Sequence, residues 1–215
     1  MVSAAKKKII GVYLAAGSSR RMGTAKQSLE MAEGVRLGGV ALRQALHSEL
    51  HSVVVVVRVG DPLDWLPKEA HMHILVGRCR IEICADAEYG MAHSLRTGIK
   101  VAEEMSAEGI LVLLADQPFV DGQMLYRLTN TFNKESGYDY IASGDQGMPK
   151  PPVILGRGMW PAAAALEGDA GARSLFHLPA YRGQIVEEEN QLKFMDVDTL
   201  DRYEQAKKVF SHKYM

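Results

Sequence analysis

The sequence predicts an α/β fold, with a mostly parallel sheet layered between helices, on three observations. Ile9–Ala15, Val53–Val57 and Ile110–Ala115 are runs of strand length that are apolar throughout. That is the pattern of strands buried on both faces. Stretches with helical spacing follow from Leu37 and from near His93 or Ser94, which suits helices laid against a sheet. The third observation is an abrupt change of character at two strand ends, to GSSRRMGTAK after the first run and to DQP after Ala115. Open α/β sheets bind their ligands at such carboxyl ends. A length of 215 residues, 47% hydrophobic and 24% charged, suits one domain over residues 1–215 with a sizeable core.

The composition excludes several classes. The formal net charge is -1 and the pI about 6.7, so no global basic bias recruits nucleic acid or a membrane surface. No run approaches the roughly 18 apolar residues of a transmembrane helix. Cys79 and Cys84 have neither CxxC spacing nor partners for a zinc site, and so few cysteines suit a cytoplasmic protein. His71 and His73 alternate and read as one face of a strand. Lys6–Lys8 before an apolar run imitates a secretory signal. Arg20 and Arg21 follow at once, however, and cleavage would remove the most informative loop.

Taken in order, the chain begins with the strand Ile9–Ala15 and the loop from Gly17 to Lys26. A buried strand that opens into a Gly- and cation-rich loop presents backbone N–H groups and positive charge to an anion. The spacing is neither a Walker A motif nor GxGxxG, and a plain basic turn is the simpler alternative. Val40, Ala41, Ala45 and Leu46 mark a helix face. Val53–Val57 is a strand, Leu63–Arg80 reads as a short helix, a turn and connecting loops, and Ile81–Ala85 is a short strand. Gly90 allows a close approach ahead of the next helix, where Ser94 reads as a cap and His93 as a surface residue. Asp116 ends the strand Ile110–Ala115. Asp121–Asn133 reads as a helix and Tyr138–Ser143 as a strand. Lys150, Pro151 and Pro152 form a stiff, basic lip to the strand Val153–Leu155. A short helix near Met159–Leu166 precedes GDAGARSLF, a Gly-rich turn in which Arg173 could hold an anion and Asp169 could be only a cap. Gly183–Glu189 and Leu192–Met195 read as two paired strands, with Glu187, Glu188 and Glu189 a solvated hairpin edge. Thr199 caps a last helix.

LAAGSSRRMGTAK resembles the LAAGxSxRMGxxK signature of the MobA-like nucleotidyltransferases, through Ala15, Ala16, Gly17, Ser19, Arg21, Met22, Gly23 and Lys26. GMAHSLRTG, LLADQPF, GDAGAR and DVDTLD resemble further family segments, in family order. Within the family the chain looks like the molybdopterin cytidylyltransferases and the related xanthine dehydrogenase maturation branch.

The resemblance implies a three-layer α/β/α, Rossmann-like fold of the nucleotide-diphospho-sugar transferase type. It implies transfer of CMP from CTP to the phosphate of molybdenum-bound molybdopterin, with Mg²⁺ as cofactor and an apo-molybdenum hydroxylase such as xanthine dehydrogenase as a partner. Arg21, Lys26 and Asp116 would be catalytic. Leu14, Ala15, Ala16, Gly17, Ser19, Gly23, Gly90 and Ser94 would join them in holding the nucleotide. Lys150, Pro152 and Arg173 would face the acceptor, with Arg173 favoured over Asp169. Asp116 and Asp198, or Asp196 in place of Asp198, would hold the metal, so these carboxylates should converge. Leu200 stands where the family has proline, and Gln27, Ser28 and Glu30 replace its Leu- and Pro-rich stretch. Guanylyl transfer, cytidylyl transfer to a sugar or polyol phosphate, and a non-catalytic cofactor-binding chaperone are the alternatives.

Overall fold

The structure, a computed structural model, describes residues 6–17 and 25–214. Its elements are β1 (Ile9–Leu14), β2 (Glu30–Ala32), β3 (Val35–Arg36), α1 (Leu37–Leu46), β4 (Ser52–Arg58), α2 (Ala70–Leu75) and β5 (Cys79–Cys84). They continue with α3 (Met91–Glu104), β6 (Gly109–Leu114), α4 (Gly122–Lys134), β7 (Tyr140–Asp145), β8 (Met148–Gly156), α5 (Trp160–Ala164), β9 (Gly183–Glu187) and α6 (Leu200–Tyr214).

Among the described residues, seven strands form one sheet in the order β5-β4-β1-β6-β8-β7-β9, and β2 pairs with β3 apart from it. The first four strands run parallel. β8 is antiparallel to both neighbours, and β7 and β9 are parallel. The sheet is therefore mostly parallel, with helices on both faces, as its apolar strands require. In β1, Val12 lies between Val54 and Val112 in register. Alternate residues feed two cores: Tyr13, Val55 and Leu113 meet Leu42 and Leu128, while Val12, Val54 and Val112 meet Leu95, Ile99 and Trp160. The five valines of β4 are each at most 2% exposed. Burial stabilises each by about 1.5–3 kcal/mol before conformational entropy is counted. A Cβ on Gly98 would lie 2.3 Å from Val12, so this glycine lets α3 sit close on β1.

A third core joins chain segments remote in sequence. Met31, Leu37 and Phe119 pack with Val197, Tyr203 and Phe210, and the Tyr203 hydroxyl donates to the Glu30 carbonyl at 2.7 Å. The α6 end of the chain is thereby laid beside the segment that follows Lys26.

Several sequence expectations change. His71 and His73 lie in α2 rather than on one face of a strand. Helix α3 starts at Met91 rather than near His93 or Ser94. β8 is longer than Val153–Leu155 and includes Lys150 and both prolines. Gln191–Phe194 is a 3-10 turn rather than a strand. Lys193 and Phe194 are both buried, and a strand would send neighbouring side chains to opposite faces. Glu188 is no solvated edge: its side chain is 3% exposed and pairs with Arg127 and with Lys193 at 3.1 Å. Lys193 also reaches Asp121 at 2.9 Å. A charge buried this far needs such partners.

Candidate active site

The carboxyl end of β6 is the fixed point. After Leu114 the chain leaves the sheet at Asp116, and the Asp116 carbonyl accepts from Val197 N–H at 2.9 Å. Val197 is fully buried, so its neighbours Asp196 and Asp198 are pinned on either side of Asp116. Gln117, 2% exposed, donates through Nε2 to Asp196 Oδ1 at 2.9 Å.

Lys26 arrives from the other direction. It opens a 3-10 turn, Lys26–Ser28, whose buried Gln27 donates to the Ala15 carbonyl at 2.8 Å. That bond ties the turn to the end of β1. The ammonium then donates to Asp116 Oδ2 at 2.6 Å and to Asp198 Oδ1 at 2.9 Å. Two carboxylates 82 positions apart thus converge on one nitrogen atom, as expected. Asp198 makes this approach, while Asp196 turns to Gln117.

The electrostatics follow from this crowding. Burial alone would depress the Lys26 pKa, but the charges and hydrogen bonds of Asp116 and Asp198 outweigh it and hold the pKa above its usual value. Asp196 is raised above the ordinary aspartate value, first by desolvation and then by the Asp116 and Asp198 charges, against the Gln117 bond and Lys26. Its side chain stays open to solvent, so this is a local direction and no large contribution to stability. Beneath the site the Tyr13 hydroxyl donates to the Gly38 carbonyl at 2.7 Å, and burial, then Asp116, raise its pKa far above normal.

Asp116 Oδ1 is buried and has no hydrogen-bond partner among the described residues. A buried, orphaned carboxylate oxygen beside a second carboxylate is a donor set suited to a hard cation. Among the described residues no group of three or more His, Cys, Asp or Glu side chains is arranged to hold a metal. Asp116 and Asp198 alone therefore suit an ion whose remaining ligands come from phosphate and water.

These groups edge a cavity of about 420 Å³, the size of a small-ligand site. Leu14, Ala16 and Gly17 form its floor, and Gly90 and Ser94 at the start of α3 form one side. Ala15 is buried and gives its N–H to the Val56 carbonyl. Gly90 has φ +118°, and a Cβ there would lie 2.2 Å from the Gly168 carbonyl carbon. That approach lets Ala92 N–H reach the Gly168 oxygen at 3.0 Å. Arg96 adds bonds to the carbonyls of Ala164 and Leu166, at 2.7 and 2.9 Å. Held at these carbonyls, the segment 164–169 forms a strap that brings Asp169 onto the cavity wall.

The remaining expected residues lie elsewhere. Arg173 is exposed on the 3-10 turn Ala172–Leu175 and does not line the cavity, whereas Asp169 does. Lys150 pairs with Asp145 and lies 5.1 Å over the Phe194 ring. Pro152 is buried in β8, and its carbonyl accepts from Ser143. His93 packs beside the Tyr89 ring and does not line the cavity. Ser19, Arg21, Met22 and Gly23 lie outside the described residues. Sequence reasoning missed Gln27 and Gln117 and gave Asp169 only the part of a cap. The first two signal themselves only as amides directly after a motif's charged residue.

Comparison with known proteins gives one family and several relatives. A family model described as a MobA-like NTP transferase domain matches residues 11–186. The purine catabolism protein PucB of Bacillus subtilis (strain 168) is 34% identical over 205 residues, 94% of this chain and 98% of PucB. Nicotine blue oxidoreductase of Paenarthrobacter nicotinovorans is 27% identical over 90% of this chain and 94% of that protein. Among solved structures, a homolog of Mycobacterium tuberculosis Rv0371c from Mycobacterium sp. strain JC1 superposes with a TM-score of 0.75. It is 23% identical and covers 95% of this chain and 98% of its own, a likeness of fold.

Proposed function

The chain belongs to the MobA-like NTP transferase family, and from that premise we propose that it moves CMP from CTP onto the phosphate of molybdenum-bound molybdopterin. The observation that carries the reading is the meeting of Asp116 and Asp198 on Lys26 at the mouth of the cavity. In this reaction an acceptor phosphate oxygen attacks the α-phosphorus of CTP. The bond from that phosphorus to the bridging oxygen breaks, and pyrophosphate leaves with the electron pair. The nucleophile is already anionic, so no covalent enzyme intermediate is needed.

The work left to the chain is alignment and charge neutralisation. Leu14, Ala16, Gly17, Gly90 and Ser94 seat the nucleoside. Lys26 exchanges its carboxylates for the triphosphate and supports the departing pyrophosphate, joined by Arg21, Ser19 and Gly23 from the loop. Asp116 and Asp198 hold Mg²⁺, which when bound neutralises phosphate charge. Asp196, steadied by Gln117, keeps the C-terminal motif in place. Arg173 stands outside the cavity, where an acceptor larger than the nucleotide extends. The choice of CTP is supported by Leu14–Gly17 and Leu114–Pro118, which resemble the cytidylyl branch. The reading places one transferase domain over the whole chain, in the cytoplasm, serving a molybdenum hydroxylase such as xanthine dehydrogenase.

The test is pyrophosphate release with each NTP and Mg²⁺, with and without molybdenum-loaded cofactor. CTP-dependent release that requires the cofactor is the expected result. A preference for GTP would change the nucleotide assignment, and an NTP-independent redox activity in its place would move the reading towards the name of the second relative.

A further inference from the structure

β5 closes one side of the sheet, and among the described residues it is paired with β4 alone. Val53 N–H donates to the Arg78 carbonyl at 2.9 Å, and Val53 stands opposite Cys79 in register. The peptide groups of Arg78, Arg80 and Glu82 therefore face β4, and by alternation those of Cys79, Ile81 and Ile83 face outward. The side chains alternate too. Cys79 and Ile81 lie on the α1 side of the sheet, and Arg80 lies on the α3 side, where it pairs with Glu82 of its own strand and reaches Glu104 at 3.4 Å, so both charges stand together on the open edge.

This edge is also the most apolar part of the described surface. Of its twelve exposed large apolar side chains, six fall here: Val59, Met72, Ile74, Leu75, Val76 and Ile83. Met72, Leu75, Val76 and Ile83 are 62–78% exposed. An open strand edge beside such a patch is a template for pairing.

We propose that β5 pairs antiparallel with β5 of a second copy of this chain, about a two-fold axis through Ile81. The sequence Cys79-Arg80-Ile81-Glu82-Ile83-Cys84 selects that occupant and that register. For two sheets to continue with their faces matched, facing residues must share parity, so the axis passes through a residue. An axis at Arg80 sets Arg80 against its own copy, and an axis at Glu82 does the same for Glu82. Like charges directly opposite destabilise a strand pair. At Ile81 each Arg80 faces the other copy's Glu82, which gives two opposite-charge pairs. The same axis brings the outward N–H and C=O groups of Ile81 face to face, and those of Cys79 to Ile83. Every free hydrogen-bonding group of the edge is then used. The exposed faces of the two α2 helices flank the axis and lose water. Charges on an edge strand ordinarily blunt it. Here their order makes the edge complementary to itself, as a two-fold interface must be.

The interface is independent of the proposed reaction. Sedimentation equilibrium of the full chain over a dilution series should show a dimer. Glu82→Arg and Arg80→Glu should each raise the dissociation constant about tenfold or more, because each places two pairs of like charges opposite one another. The double swap Arg80→Glu/Glu82→Arg should restore the dimer, and thermal melts report that each variant is folded. A wild-type chain that stays monomeric, or a double swap that dissociates as readily as the single variants, would overturn the proposal.

Discussion

The two halves of the sheet treat charged residues differently. In β4, β1 and β6 the strands are parallel and covered on both faces, so polar side chains are confined to the strand ends. Lys26, Asp116 and Ser94 all reach the cavity there. From β8 to β9 the direction mixes, and the charges at the same edge are absorbed into the wall. Lys150 pairs with Asp145, Lys193 with Asp121 and Glu188, and Arg127 with Glu188. A cation beside a motif thus lines the cavity in the first half and braces the wall in the second. Lys26 is paired too, with Asp116 and Asp198; what sets it apart is that this trio lines the cavity, whereas Lys150, Lys193 and Arg127 do not.

The largest test of this contrast is Asp116→Asn. On the proposed mechanism this removes the charge of the carboxylate that would hold the metal, and turnover should fall by about a hundredfold or more while the fold persists. Full Mg²⁺-dependent pyrophosphate release would end the mechanism given above. Lys26→Ala should follow, at about ten- to a hundredfold in kcat. A change in KM alone would leave Lys26 a ground-state contact. Gly90→Ala acts through structure instead. Its φ of +118° and its 2.2 Å approach to Gly168 predict a loss of about 1–3 kcal/mol in chemical denaturation, with weaker CTP binding as the 164–169 strap shifts. In the mixed half, Lys150→Ala should change turnover less than about threefold, and Arg173→Ala should raise KM for the acceptor and spare that for CTP. A fall at Lys150 as deep as at Asp116 would erase the contrast.

The smallest effect is one of pH. The Lys26 pKa is raised above 10.5. The stabilisation from its two ion pairs is therefore fully present below pH 10.5 and lost as pH climbs through the higher folded value. Melting temperatures of Lys26→Met should fall less steeply than those of the wild type in that range.

The sequence by itself determined the parallel half and several of the residues that line the cavity at its strand ends. Ile9–Leu14, the valine run and Ile110–Leu114 are apolar at every position, a pattern with few alternatives in a chain this size, and the segments after them carry contiguous motifs. Tertiary structure alone decided the rest. Asp196 and Asp198 differ by one alternation of the chain, and only the bond from Val197 to the Asp116 carbonyl chooses which of them meets Lys26. Glu188 looks like a surface acid until Arg127, far back in the sequence, joins Lys193 in enclosing it. Asp169 reaches the cavity because Gly90 lets two backbones touch. Local pattern reports what a residue prefers to bury, whereas the partner of a charge is set by chain segments that meet only in the folded protein.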